Sequence, residues 1–111
     1  MNILKVVLNA LPEKRRELEQ AVLGMLPGIR ESGGCRQCRI ARDLELISCL
    51  TVVSRWEERK NLDAFLKSDR FAVLMGTRIL LKAPPRVYLE EVVTSEGTED
   101  VGRIRLEKRN H

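Results

Sequence analysis

Cys35 and Cys38, in GGCRQCRIAR, are the first residues whose type and spacing could do chemistry. A Cys-x-x-Cys pair serves either a metal or a thiol–disulfide couple. Structural zinc takes four ligands, usually two such pairs or one pair with histidines. This chain adds only Cys49 and the terminal His111, so the ligand count falls short. A thioredoxin-type couple needs both sulfurs at the start of a helix that follows a strand. Here RIAR continues the pair as a strand, and side chains three apart on a regular strand point to opposite faces. A second pairing is open to these thiols. If the following hairpin turns around Asp43-Leu44, residues whose numbers sum to 87 lie opposite each other, which makes Cys38 and Cys49 cross-strand neighbours. They then read as buried thiols acting like small apolar residues, with a reversible redox link as the alternative.

Other reactive constellations are sparse. With His111 as the sole histidine, the sequence offers no histidine base and no Ser-His dyad. Glu57-Glu58 and Glu90-Glu91 are adjacent carboxylates, and adjacent positions on one element do not face each other. Gly33-Gly34 lacks the helix and lysine of a phosphate cradle. Asn9 stands at a strand end, where a turn role suits it. Trp56, the single tryptophan, sits where a central strand hands over to a helix. It shares an alternating face with Leu46, Ser48, Leu50, Val52 and Ser54. If that face lies opposite the helices, it lines an apolar cavity of the kind that takes small ligands. If not, Trp56 fastens helix to sheet.

The elements that must hold these residues follow from pattern. Residues 3–9, ILKVVLN, read as a β-branched strand. Pro12 suits the first turn of a helix. Leu18, Ala21, Val22, Met25 and Leu26 then form one amphipathic stripe that Pro27-Gly28 ends. Two strands, 35–42 and 46–55, make a hairpin. A helix over 57–67 carries Leu62, Phe65 and Leu66. Ser68-Asp69 looks like a break and a new N-cap, and a third helix presents Phe71, Leu74, Met75, Arg78 and Ile79. Ala83-Pro84-Pro85 stops it before a strand over 86–94. The order β-α-β-β-α-β, its second helix split in two, predicts an α+β ferredoxin-like sheet with helices on one face.

One domain over 1–94 and a C-terminal extension over 95–111 are expected. Within the extension, VGRIRLE has the length and composition of a further short strand. Because 46–53, LISCLTVV, scarcely alternates, both of its faces call for cover, and helices supply only one. A twofold homodimer, sheet against sheet, supplies the other. No apolar run spans a bilayer and no secretory leader is recognisable, so a cytoplasmic protein with reduced thiols is expected. The net charge of +4 does not indicate nucleic acid: basic residues are interleaved with acids, and aromatics, at 4%, are too few for a stacking platform.

In order and spacing, GGCRQCRIARDLE, LTVVSRWEERKNLDAFLKSDRF and PPRVYLEEV resemble the antibiotic biosynthesis monooxygenase domain family over roughly residues 3–94. The resemblance implies a dimeric α+β barrel of ferredoxin-like subunits. It also implies a cofactor-independent monooxygenase, with neither cofactor nor metal, acting on a small aromatic or quinol-type substrate. Similar proteins also include haem-degrading enzymes and isomerases. The family's frequent glutamate two residues before the tryptophan is Ser54 here, and the histidine common in the next helix is replaced by Phe65. The tryptophan and histidine of the haem-degrading branch match Phe65 and Met75, so that catalytic set is absent. What carries over from the family is Trp56 alone, as a group that orients the substrate. Phe65, Phe71 and Met75 are candidate lining of the same substrate pocket, with a place in the helical core as the alternative for Phe71 and Met75. Two alternatives stand beside it: a non-catalytic dimeric ligand-binding or interaction module, and a thiol redox protein using Cys38 and Cys49.

Overall fold

The computed structural model describes residues 1–93. VGRIRLE, with the rest of the extension, lies outside them. Strand β1 (Asn2–Asn9) leads through a 3-10 turn at Pro12–Lys14 into helix α1 (Arg15–Arg30). Strands β2 (Cys35–Arg42) and β3 (Cys49–Trp56) follow, then helices α2 (Arg59–Leu66) and α3 (Asp69–Met75), a 3-10 turn at Gly76–Leu80, and β4 (Arg86–Glu91). The sheet order is β2-β3-β1-β4, every neighbouring pair antiparallel. This is the expected ferredoxin-like α+β arrangement.

The sheet's two faces are chemically distinct. Pairing of Val6 with Val52 and of Leu4 with Ser54 puts Leu4, Val6, Leu8, Leu50, Val52, Ser54 and Trp56 on one side. All are buried, and the apolar ones form one core with Leu18, Val22, Leu26, Ile29, Leu62, Phe65 and Leu74 of the helices. The face holding Trp56 is therefore the helix-covered one, not the open one. Leu46 does not extend it: Leu46 and Ile47 lie before β3, exposed in the connection. The opposite face carries Ile3, Val7, Cys49, Thr51, Val53 and Tyr88, with Lys5 and Glu90 paired at 3.2 Å.

Two expectations of local geometry are corrected. Helix α1 does not stop at Pro27-Gly28 but runs through Pro27 to Arg30. Proline deprives the carbonyl four residues earlier of its partner. That carbonyl belongs to the exposed Leu23, where solvent is within reach, and continuing the helix buries Ile29 on the stripe of Leu18, Val22 and Leu26.

The hairpin register also differs. Asp43 Oδ1 accepts hydrogen bonds from the backbone N–H groups of Glu45 and Leu46, both at 2.8 Å, which holds its carboxyl below the usual range. This local turn occupies more residues than a tight one around Asp43-Leu44, so Cys38 pairs with Ser54 and Cys49 faces Asn9 across β1. An odd-numbered slip moves a strand's side chains to the other face. Cys38 consequently lies under the helices and Cys49 on the open face, so the two are not neighbours.

Candidate functional site

A largely apolar concavity opens where β3 ends. The Ser32-Gly33 turn, Trp56, α2 and the first turn of α3 enclose a cleft of about 480 Å³. Each wall has a local cause. Gly34 adopts φ +81°, a left-handed conformation that suits glycine, and its carbonyl accepts from Glu57 N–H at 2.8 Å. That contact ties the start of β2 to the end of β3. Helix α2 begins with Asn61 Oδ1 accepting from the Glu58 N–H at 3.1 Å, an N-terminal cap of the capping-box kind. Ser68 caps α3, accepting from Phe71 N–H at 3.3 Å and donating to the Phe65 carbonyl at 2.6 Å.

The aromatic residues stand in series. Phe65 stacks on Trp56 with ring centroids 4.7 Å apart, and Phe71 meets Phe65 edge-on at 5.6 Å, geometries that aromatic quadrupoles favour. Trp56 and Phe65 line the cleft; Phe71 and Met75 do not line it and pack half-buried against the core. Trp56 is the cleft's floor but is fully buried. Its indole N–H donates to Ser54 Oγ of the same strand at 2.9 Å, and its stacking on Phe65 fastens α2 to the sheet. The cleft residues that sequence reasoning did not single out are Ser32, Asn61, Ala64 and Arg70. Arg70 follows the recognised Ser68-Asp69 cap by one residue, which was the available signal.

A profile of the antibiotic biosynthesis monooxygenase family matches residues 1–76, most of the chain. The chain belongs to that family. Solved structures agree in fold. A Deinococcus radiodurans protein, described as a candidate antibiotic biosynthesis monooxygenase, superposes with TM-score 0.79 at 16% identity, over 87% of this chain and 97% of that one. The Mycobacterium tuberculosis protein Rv0793 gives 0.77 at 18%, over 86% and 98%. A Bordetella bronchiseptica protein, also a candidate monooxygenase of this type, gives 0.70 at 23%, over 84% and 98%. No curated protein sequence matches significantly. Among the described residues no helix is long and apolar enough to cross a membrane, and no three His, Cys, Asp or Glu side chains cluster as metal ligands would.

Relative to the family pattern, Ser54 is spent on orienting Trp56, and the titratable side chains that line the cleft with the ring pair are Asp69 and Arg70. The thiols lie at a separate cleft of about 320 Å³ that includes Arg30 and Gln37. A bulge between Cys35 and Gln37 lets Cys35 face Trp56 and Cys38 face Ser54. The extra residue cancels the alternation, so the two thiols share a face instead of diverging. Burial raises both pKa values. The nearby Cys35 adds to the shift at Cys38, Arg30 opposes it, and that thiol is pushed up to about 11.

Half-buried Cys35 is thus expected to alkylate first in the native protein, with Cys38 about a hundredfold slower from thiolate fraction alone relative to an ordinary thiol. Peptide mapping after timed iodoacetamide treatment checks this, and rapid labelling of Cys38 refutes its burial. Because the folded pKa is raised, the stabilisation from keeping Cys38 neutral is complete below pH 9.0. It is lost as the pH climbs toward about 11.

Proposed function

We propose that the protein is a cofactor-independent monooxygenase-like enzyme, a cytoplasmic homodimer that takes a small aromatic or quinol-type molecule into the cleft beside Trp56 and Phe65. The observation that carries this reading is the apolar cleft against a stacked ring pair, in a chain of this family. An aromatic substrate would extend the ring series, and a water-poor wall would favour the orientation of a flat molecule. An electron-rich phenol or anthrone, once deprotonated, passes an electron to oxygen itself. Net, a ring CH2 and O2 become C=O and water. The protein's part is to desolvate and orient the substrate.

The open sheet face supports the dimer. Val7 and Val53 there are partly exposed and Tyr88 is exposed, and a second sheet would cover both copies. Three free thiols fit a reducing compartment.

Oxygen uptake across a panel of anthrones and quinols, with chelator present, is expected to give one O2 consumed per anthrone oxidised. With 18O2 the product would hold one labelled atom. Sedimentation is expected to return twice 12.7 kDa. No uptake above buffer for any member of the panel overturns the enzymatic reading. A non-catalytic ligand-binding module is the second reading, favoured by Ser54: its hydroxyl stands where the family often has a carboxylate and is already engaged by Trp56. A compound that stabilises the protein yet is recovered unchanged in air supports it.

A further inference from the structure

We propose that Arg70 makes the cleft selective for anionic aromatic molecules, a carboxylate or an ionised phenol; this rests on the cleft being the ligand site. Three other cations of the neighbouring elements are already committed, while Lys67 is exposed and does not line the cleft. Arg36 pairs with Glu57, Arg59 with Asp63, and Lys60 with Glu58. Among the described residues Arg70 has no carboxylate within ion-pair distance. Its one side-chain hydrogen bond goes from Nη1 to Ser32 Oγ at 3.1 Å. That hydroxyl in turn donates to the Gly28 carbonyl at 3.2 Å.

The side chain is placed there by a cradle. A Cβ at Gly28 would stand 3.3 Å from Arg70 Nε, so the absence of a side chain lets the guanidinium lie close over the end of α1. Arg70 also borders both the main cleft and a smaller one of about 240 Å³ on the α1 side. The result is a charged fork at the mouth of a cleft walled by Trp56, Ala64 and Phe65. A planar guanidinium binds a carboxylate through paired N–H groups. A ring seated among the apolar residues would leave its charge at Arg70. Asp69 borders the same clefts and limits the net attraction. For the proposed oxidation, such a cation favours the ionised substrate, the form that gives up an electron to oxygen.

The test uses two probes of nearly equal shape, 2-naphthoate and neutral 2-naphthamide, measured by equilibrium dialysis at neutral pH and low salt. Wild-type protein is expected to bind naphthoate about tenfold more tightly, the lower range for a charge-assisted contact at an exposed site. Added salt should shrink that preference. Arg70→Gln is expected to bring the two affinities together while leaving naphthamide binding within about twofold, and Arg70→Lys to retain part of the preference. Gly28→Ala, which crowds the guanidinium without removing charge, should reduce it by about two- to fivefold through misplacement. Equal binding of the probes by wild type, or an undiminished preference in Arg70→Gln, overturns the assignment while the cleft stands. Failure of both probes to bind overturns the cleft reading and this one with it.

Discussion

Gly34→Ala is expected to destabilise the protein by about 2 to 3 kcal/mol, a sum of two independent costs. The first is conformational: φ is +81°, where an L side chain costs about 1 to 2 kcal/mol. The second is steric. A Cβ there would fall within 2.5 Å of three Asn61 side-chain atoms, so Asn61 must leave its place. Its Oδ1 then no longer accepts the Glu58 N–H that starts α2, and losing a helix cap costs about 1 kcal/mol. In thermal unfolding the combined loss corresponds to about 8 to 12 °C, at about 4 °C per kcal/mol for a domain of this size. Asn61→Ala separates the two costs. Alone it should cost about 1 kcal/mol as a lost cap, yet in the Gly34→Ala background it should cost almost nothing, because the cap is already gone. Strict additivity of the two substitutions would refute the contact between Gly34 and Asn61.

That contact also explains why the cleft was hard to read from sequence. Gly33-Gly34 was recognisable as a loop and Trp56 as a strand end. Nothing in one dimension says that Gly34 touches Asn61 or that Arg70 lies over Gly28. The fold was legible because it depends on periodicity. ILKVVLN and the stripe from Leu18 to Leu26 announce strand and helix directly, and Ser68 announces its own cap. Register was not legible, since it depends on single residues acting against pattern. Asp43 folds the β2–β3 connection around its carboxylate, and one extra residue after Cys35 reverses the alternation that would separate Cys35 from Cys38. The side on which Trp56 faces follows from that same register. Ile29 shows the opposite balance, where burial outweighs the break that Pro27 signals.

Trp56→Ala is expected to cost about 3 to 5 kcal/mol, the range for emptying a large buried aromatic site. The ring is fully buried, stacks on Phe65, and holds Ser54 through its indole N–H. Against a total stability of about 5 to 15 kcal/mol, that loss brings the chain near its unfolding threshold. Trp56→Phe is therefore the informative partner variant. It keeps an aromatic ring against Phe65 and removes the N–H. Ser54→Ala alone leaves that N–H buried without an acceptor, at about 1 to 3 kcal/mol. In combination the two should cost less than their sum, since neither polar partner is then stranded. Urea unfolding followed by circular dichroism measures the cycle without relying on tryptophan emission. Were Trp56→Ala to cost under about 1.5 kcal/mol, below the range for a core aromatic, Trp56 would be lining rather than core. Binding of aromatic probes should then suffer more than stability. The expected pattern is the reverse for Phe substitution: stability falls by the lost hydrogen bond while the cleft, lined also by Phe65 and Ala64, still admits a flat ring.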